Sequence, residues 1–324
     1  MREITYRQAI NEALYEEMSR DNKVYLWGED VCQGSGWGTH NSLAEEFGTE
    51  RVRETAIHED AIVGAAVGAG LGGYRIIADI MFVDFLLCAG DEFFNQAAKW
   101  RVHNGFQSNI PIVIKAAIGG YAHSGAVHSQ CFEGLAMHTP GVKIALPATP
   151  ADAKGLLKAA IRDNNPVLYL FHKKLLDATG EVPEGEHVVP LGAADIKREG
   201  SDVTVVATSF MVTKALQVAD ELHEKGISLE VIDPRTLEPF DIDTVITSVK
   251  KTKRAVIVDE DVSRCGPAAE IAMQIMERAH DCLASPIKRV AAANMPLPGG
   301  YLEQYALPQN QDISAAVETV LGLK

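Results

Sequence analysis

The sequence predicts an α/β fold with two domains, a doubly wound parallel sheet followed by a smaller, three-layer domain. Three observations predict it. Short apolar segments typical of buried strands alternate with longer segments typical of helices along most of the chain. This alternation loosens into Gly, Pro and charged residues near 173–200 and then resumes, as expected at a domain boundary. The length of 324 residues is sufficient for two domains, which we expect at 1–180 and 201–324 with a linker at 181–200.

The first half of the chain contains the longer alternation. Thr5 and Gln8 have the spacing of a capping box, and the apolar residues after them repeat at helical intervals. A strand is predicted at 24–27, before a loop that carries Glu29, and Glu59 then begins an Ala- and Gly-rich helix that ends near Gly73. Further along we predict a strand at 75–80, a helix at 85–103, strands at 112–114 and 143–146, a helix at 151–162 and a strand at 167–171.

The second half repeats the pattern on a smaller scale. A strand at 203–207 is followed by a helix at 213–225 that Gly226 ends. We then predict a strand at 229–232, a helix at 241–251, a strand at 255–258, a helix at 268–278 and a last strand at 287–290. In sheets of this kind, ligands bind beyond the carboxyl ends of the strands, where the loops that carry Glu29, Phe85 and His128 are expected to lie.

Composition excludes several classes of function. The net charge of -14 opposes binding to a nucleic-acid backbone or to an anionic membrane. The five cysteines form no C-x-x-C pair, and their odd number and wide spacing are typical of reduced thiols. Residues 1–20 are too polar for a signal peptide, and no apolar run is long enough to cross a bilayer. We therefore expect a cytoplasmic protein that binds neither nucleic acid nor membranes.

One glycine motif suggests a different function. Residues 68–73 satisfy G-x-G-x-x-G, which is typical of dinucleotide-binding enzymes when a strand precedes it and a helix follows. Here a helical segment precedes the glycines and the strand at 75–80 follows, so the order is reversed. We interpret these glycines as positions that allow close helix packing, and we expect the packing partner to be another subunit.

Three residues are candidates for chemistry. Glu59 lies in the first turn of its helix, where a carboxylate commonly complements the helix dipole, worth up to about 1 kcal/mol. A desolvated glutamate is instead able to hold or release a proton at a ring nitrogen of a bound ligand, which is a general acid–base role. Phe85 is able to stack on that ring or to be an ordinary core residue. His128 follows several glycines of its loop and is able to move protons near neutral pH or to be merely solvated.

The candidate residues belong to a set of segments that carries a resemblance over nearly the whole length. The chain resembles the β subunit of the thiamine-diphosphate-dependent, decarboxylating component of 2-oxo acid and acetoin dehydrogenase complexes. The segments that carry it, in order and at natural spacing, are 6–13, 28–31, Glu59 with Gly64, 81–85, 95–99, 128–130, 140–143, 232–236 with Pro239, and 258–260.

The resemblance implies a transketolase-like pyrimidine-binding domain followed by a transketolase carboxyl-terminal domain. It also implies an α₂β₂ heterotetramer in which the α subunit supplies the diphosphate and Mg²⁺ site. The Gly-Asp-Gly…Asn motif of that site is absent from this sequence, so the chain resembles half of an active site. By the resemblance, Glu59 activates the pyrimidine, Phe85 packs on it and Glu29 lies near it. His128 faces the substrate and the incoming lipoyl group of a partner acyltransferase.

A structural monovalent-cation site, for K⁺, is a further implication of the resemblance. Its carbonyl ligands correspond to Ile112, Ala160, Ile161, Asp163 and Asn165. Hard cations favour oxygen ligands of this type, although a turn that simply ends a helix is the alternative for residues 162–166.

Departures from the family pattern concern the substrate. His58 stands where the family usually has Ser or Thr before the catalytic glutamate, and the loop segment 121–123, which includes His123, is also unusual. Some segments favour acetoin, and pyruvate or a branched 2-oxo acid remain alternatives. Three other functions stay open at this point: a split transketolase subunit, a scaffold subunit without catalysis, and an independent NAD-dependent enzyme.

Overall fold

The computed structural model describes residues 1–323, which form two compact units. The first unit comprises residues 1–118 and 136–191, and the second comprises 119–135 together with the chain from 192 onward. The segment 119–135 therefore belongs to the second unit, although it lies between two strands of the first in the sequence. This division matters for the site, because it separates His128 from the other candidate residues.

The elements of the first half agree closely with the predicted alternation. In chain order they are β1 (Arg2–Thr5), α1 (Tyr6–Arg20), β2 (Val24–Gly28), α2 (Leu43–Phe47), β3 (Val52–Glu54), α3 (Glu59–Leu71), β4 (Arg75–Phe82), α4 (Ala98–His103), β5 (Ile112–Ile118), α5 (Glu133–Met137), β6 (Lys143–Ala145), α6 (Pro150–Arg162), β7 (Val167–His172) and β8 (Thr179–Val182). The capping box is confirmed, since the Thr5 side chain accepts from the Gln8 amide and the Gln8 side chain accepts from the Thr5 amide.

The sheet of the first unit is parallel, as the sequence predicts. Its strands lie in the order β6-β7-β5-β4-β2-β3, and every one of these pairs is parallel. The central strands are apolar and buried, and α1 packs against α6 while α3 packs against β4. Strands β1 and β8 form a separate antiparallel pair. Because the six strands are parallel, the residues that follow β2, β3 and β4 emerge at one edge of the sheet.

The second unit has its own mostly parallel sheet. Its elements are β9 (Asp195–Arg198), β10 (Val203–Ala207), α7 (Phe210–His223), β11 (Leu229–Asp233), β12 (Thr236–Glu238), α8 (Ile242–Thr252), β13 (Ala255–Val262), α9 (Pro267–Ala279), β14 (Lys288–Ala292) and α10 (Asn310–Val320). The strand order is β14-β13-β10-β11-β9, with only β9 antiparallel to its neighbour in that sheet. Helix α8 packs beside α9 and α7 beside α10, which gives the helical layers of the predicted three-layer domain.

One sequence expectation for secondary structure was wrong. The single helix predicted at 85–103 is a 3₁₀ helix at Val83–Leu87, then a π-helical segment at Glu92–Ala97, and then α4. The Asp91 carboxylate accepts hydrogen bonds from the Asn95 and Gln96 side chains at the beginning of the π-helical segment. The segment near 173–200 is not only a crossing, because it contains β8 and β9. Both are short and polar, and the helix α10 was not predicted at all.

The glycine-rich helix precedes a strand, as the sequence predicts. Helix α3 contains Gly68 and Gly70 and is followed by β4, so the arrangement of a dinucleotide-binding turn is absent from this segment. A Cβ at Gly70 would lie 3.0 Å from Ile112 Cγ2, whereas a Cβ at Gly68 would have no neighbour within 4 Å in this chain. Gly70 thus allows close packing inside its own unit, and packing of α3 against another subunit stays a prediction. Across residues 1–323 no helix combines the length and the apolar character needed to span a membrane.

Candidate active site

Three of the predicted site residues lie at one edge of the first sheet. Glu29 follows β2 directly, Glu59 is the first residue of α3, after β3, and Phe85 lies in the 3₁₀ helix that follows β4. Strand β2 lies between β3 and β4, so the three residues emerge from adjacent strands. Burial, then the negative charges of Asp30 and Glu59, raises the pKa of Glu29 above its usual range. The charge of Glu59 therefore acts on the ionisation of Glu29.

The loop that carries Glu29 is fixed by Glu54 at the end of β3. The Glu54 carboxylate accepts from the backbone amides of Asp30 and of Cys32, the latter at 3.1 Å. On the β4 side, a Cβ at Gly28 would lie 2.5 Å from the carbonyl oxygen of Asp79, so only glycine allows β2 and β4 to approach at this point. The position of Glu29 is thus set by its neighbours on both sides.

Phe85 belongs to an aromatic cluster. Its ring meets Phe82 edge to face, with centroids 6.1 Å apart, and Phe82 meets Trp37 in the same way at 5.0 Å. Phe85 itself is half-buried, so part of its ring remains accessible. A half-buried ring that is held by an aromatic neighbour is suited to stacking on a planar ligand.

A buried charged network supports the end of β4, and no sequence pattern indicates it. Lys115 Nζ lies 2.9 Å from Asp79 Oδ2 and 3.2 Å from Thr39 Oγ1, and His40 Nε2 lies 3.2 Å from the same Asp79 oxygen. Burial alone would raise the pKa of Asp79, but the charge and hydrogen bond of Lys115, together with His40 and the Met81 amide, lower it. Burial, reinforced by Lys115, lowers the pKa of His40 to about 3, so this imidazole is neutral at physiological pH.

The network has a local consequence for Phe85. Asp79 Oδ1 accepts from the Met81 amide at 2.8 Å, and Met81 adopts a left-handed conformation with φ of 59°. The register between β4 and β5 shifts between Asp79 and Phe82. A bulge of this type redirects the chain, and here it leads into the 3₁₀ helix that presents Phe85.

His128 is not brought together with the other candidates in one unit. It lies in segment 119–135, which belongs to the second unit, and its backbone amide donates to the Gly125 carbonyl at 3.4 Å. The imidazole is half-buried. The backbone amide of His123 in the same loop donates to the Glu303 carboxylate, with its nearer oxygen at 3.2 Å. His58 directly precedes Glu59 at the start of α3. It is exposed, and its imidazole contacts the carboxylate of Asp60.

Three residues of the expected cation site, Ala160, Ile161 and Asp163, lie in a turn held by Arg75. The Arg75 Nη1 atom donates to the carbonyl oxygens of Ile161 at 3.0 Å and of Asp163 at 2.7 Å. The Ala160 carbonyl accepts from the Asp163 amide at 3.2 Å. Arg75 was not singled out from the sequence, because an arginine at the beginning of a strand carries no signal for a distant turn. A carbonyl oxygen has two lone pairs, so these hydrogen bonds leave acceptor capacity for a cation.

Comparison with known proteins shows likeness along almost the entire chain. The sequence model described as transketolase, pyrimidine binding domain, matches residues 2–179, and the one described as transketolase, C-terminal domain, matches 192–313. The β subunit of an acetoin:2,6-dichlorophenolindophenol oxidoreductase from Cupriavidus necator is 41% identical, covering 99% of this chain and 98% of that protein. The β subunit of the pyruvate dehydrogenase E1 component from Bacillus subtilis is also 41% identical, covering 99% of both chains.

Two further comparisons concern substrate and fold. The β subunit of a 2-oxoisovalerate dehydrogenase from Bacillus subtilis is 41% identical and covers 97% of both chains. Among solved structures, a split-gene transketolase described as an inactive β4 tetramer has a TM-score of 0.83, with 24% identity and 99% of both chains covered. The identity of the curated relatives is almost the same for three substrates, so it does not distinguish among them.

Proposed function

We propose that this chain contributes the pyrimidine half of a shared active site. The reason is that it belongs to the family of β subunits of thiamine-diphosphate-dependent 2-oxo acid and acetoin dehydrogenases. The observation that carries the proposal is the placement of Glu29, Glu59 and Phe85 on adjacent strands at one sheet edge. Such an edge is where ligands bind in sheets of this type. The proposal therefore rests on geometry as well as on family membership.

Each residue has a distinct proposed role. The Glu59 carboxyl group hydrogen-bonds to a pyrimidine ring nitrogen and holds or releases a proton there, which is general acid–base work. Phe85 packs on the face of the ring, and Glu29 lies beside it with a carboxyl group that burial and Glu59 make harder to ionise. When bound, thiamine diphosphate supplies a stabilised carbanion that cleaves the bond next to a carbonyl carbon. His128 donates a hydrogen bond or a proton to the substrate oxygen.

The remaining half of the site comes from a partner. We propose an α subunit, in an α₂β₂ heterotetramer, that binds the diphosphate and holds Mg²⁺, because the Gly-Asp-Gly…Asn motif is absent from this sequence. The fragment left after CO₂ or acetaldehyde departs would then be oxidised to the acyl level by the disulfide of lipoyl-lysine on an acyltransferase, which is reduced and carries the acyl group as a thioester. The substrate is acetoin, pyruvate or a branched 2-oxo acid, and the protein acts in the cytoplasm.

A structural K⁺ at the Arg75 turn is a separate part of the proposal. The carbonyl groups of Ile112, Ala160, Ile161, Asp163 and Asn165 would supply its ligands. Arg75 already donates to two of these carbonyls and Lys143 lies 2.5 Å from the Asp163 carboxylate. The cation would therefore add to a turn that is already held, and replacing K⁺ by choline in thermal unfolding should lower the midpoint by only a few degrees.

Calorimetric titration of thiamine diphosphate with Mg²⁺ tests the shared site. We expect tight binding to the reconstituted mixture with the α subunit and none to this chain alone, because each chain holds half of the contacts. In the mixture, Glu59→Gln should lower the turnover rate by at least about a hundredfold, since proton transfer by a positioned group contributes a factor of this size. Asp60→Asn is the matched control, because Asp60 is the adjacent acid in the same helical turn.

The outcomes separate the competing functions. Full activity of Glu59→Gln in the complex would reject a catalytic role and leave a scaffold subunit. Tight binding of the cofactor to the isolated chain would show a diphosphate site within it. Transfer of two-carbon units between sugar phosphates, in place of acyl transfer to lipoyl-lysine, would indicate a split transketolase.

A further inference from the structure

We propose that Glu260 and Asp261, at the end of β13, are positioning residues that fix the loop carrying His128. The proposal deepens the proposed function, because it gives His128 a defined location that depends on the second unit. It rests on His128 acting on the substrate, but the structural part of it is measured independently of activity.

Both ends of the loop are bound by neighbouring residues of one strand. The Gly120 amide donates to Glu260 Oε1 at 2.5 Å, and the Gly134 amide donates to Asp261 Oδ2 at 3.1 Å. These two amides are separated by most of the loop in the sequence, yet their acceptors are consecutive residues. A hydrogen bond to an ionised carboxylate is shorter and stronger than one between neutral groups. Two consecutive acidic side chains therefore close the base of the loop.

The two glycines allow this approach because they lack side chains. A Cβ at Gly134 would lie 2.7 Å from the Cys265 carbonyl oxygen, which belongs to the backbone and does not yield easily. A Cβ at Gly120 would lie 2.6 Å from Leu307 Cδ1 and 3.0 Å from Leu297 Cδ2. The backbone at each end of the loop therefore packs closely within the second unit, and the hydrogen bond from Gly120 to Glu260 is buried.

The acceptors are themselves oriented. Both are buried, and Asp261 Oδ1 accepts from the Val262 amide at 2.7 Å while its other oxygen accepts from Gly134. The preceding Asp259 accepts from Thr208 Oγ1 at 3.1 Å and from the Ala268 amide at 3.3 Å, so this end of β13 is tied to its surroundings. Because these acceptors are held in place, they fix the positions of the two loop amides that bond to them.

A third carboxylate holds the loop further along. The buried Glu303 accepts from the His123 amide, and the Tyr121 hydroxyl donates to the Pro308 carbonyl at 2.6 Å. All these contacts lie within the second unit. The loop is thus anchored within the second unit both before and after His128.

Hydrogen exchange on the full chain tests the anchoring directly. In Glu260→Ala, amides at 121–132 should exchange about tenfold faster than in the wild type, since loss of a hydrogen bond to a charged group costs on this scale. Glu260→Gln keeps an oxygen acceptor and should restore slow exchange. Glu270→Ala is the control, because Glu270 is an exposed acid of the same unit that bonds only to Gln274 among the hydrogen bonds observed.

Kinetics of the reconstituted complex test the consequence for His128. Glu260→Ala should lower kcat about tenfold, Glu260→Gln should recover most of it, and the affinity for thiamine diphosphate with Mg²⁺ should stay unchanged in both. Unchanged exchange in Glu260→Ala would overturn the anchoring, and faster exchange with full kcat would overturn the positioning role. If Glu260→Ala fails to fold, Gly134→Ala disturbs the same base of the loop from the other side and must give the same two effects. Full activity of His128→Ala would instead reject the role that the proposed function gives to this histidine.

Discussion

Lys115 extends its ammonium group into the interior of the first unit, where it is fully buried against Asp79 and the ring of Phe171. Removing one partner of such a pair leaves the other charge buried without compensation. The pair supports the bulge at Met81 and therefore the turn that leads to Phe85. At the scale of single residues, the site depends on this support as much as on the residues that face the ligand.

We expect Lys115→Met to lower the free energy of unfolding by about 3–5 kcal/mol, the usual cost of breaking a buried pair. The double variant Lys115→Met with Asp79→Asn should regain part of the loss, because the uncompensated charge is gone. Urea unfolding measures both. Arg278→Met is the control, since Arg278 and its partner Asp243 are largely exposed and their ion pair is worth less than about 1 kcal/mol. An equal loss in the control would contradict the argument from burial.

The buried Asp261 should make the stability of the protein depend on pH. Burial, followed by the nearby Asp259 carboxylate, raises the pKa of Asp261 to about 7. Glu133 and Glu260 also face it, and burial with Asp261 raises the pKa of Glu133. The folded protein therefore keeps a proton that the unfolded chain releases near pH 4. The resulting stabilisation is complete below that pH and is lost as the pH rises through 7.

The measurement is the free energy of unfolding of the wild type and of Asp261→Asn between pH 4 and 8. As the pH rises from about 4 to about 7, the wild type should lose stability relative to this variant. Above about pH 7 the difference in the free energy of unfolding should become constant. Asp243→Asn provides the comparison for an exposed acid. A flat difference over the whole range would mean that Asp261 is ionised in the folded protein throughout, and it would contradict the raised pKa.

Sequence reasoning found some site residues and missed others for a physical reason. Glu59 was found because it begins a helix and belongs to a recognisable segment, and its location on α3 follows from local signals. Glu54, Lys115 and Arg75 were missed because their partners lie far away in the sequence. Lys115 and Asp79, for example, meet only because β4 and β5 are neighbours in the sheet. Long-range polar partners of this type leave no periodic pattern.

At the scale of elements, the predictions succeeded where local chemistry is strong. Helix α6 was predicted to begin at 151, one residue from its observed start, because the N-cap Thr149 and Pro150 mark its beginning. Strand β9 was missed because it is short and polar, and it forms only by pairing with β11. The interruption of the helix predicted at 85–103 was missed because its apolar pattern continues through the π-helical segment.

Thr149 allows a test of helix capping. Its Oγ1 accepts from the Asp152 amide at 3.1 Å, which satisfies one of the free amides at the start of α6. Thr149→Ala should lower the free energy of unfolding by about 1 kcal/mol, measured in urea. Thr247→Ala is the control, since Thr247 is an exposed residue inside α8 whose hydroxyl donates only to the Asp243 carbonyl among the observed hydrogen bonds. A loss no larger than in the control would show that the cap contributes little.

At the scale of the whole molecule, the candidate residues are divided between the two units of the chain. The first unit presents the pyrimidine residues, and the second carries the loop with His128. The family assignment could be made from the sequence because many short segments occur in order. The separation of His128 from the other candidates could not, because it results from contacts of segment 119–135 with residues far beyond it in the chain.

Ligand linkage gives a prediction for the complete assembly. A ligand that binds only the folded complex stabilises it by about 2.7 kcal/mol at a free concentration one hundred times its Kd. Thiamine diphosphate with Mg²⁺ should therefore raise the unfolding temperature of the mixture with the α subunit by several degrees and leave that of this chain alone unchanged. Mg²⁺ without the cofactor is the control for a general ion effect. An equal rise for the isolated chain would contradict the shared site, because a complete diphosphate site would then have to exist within this sequence.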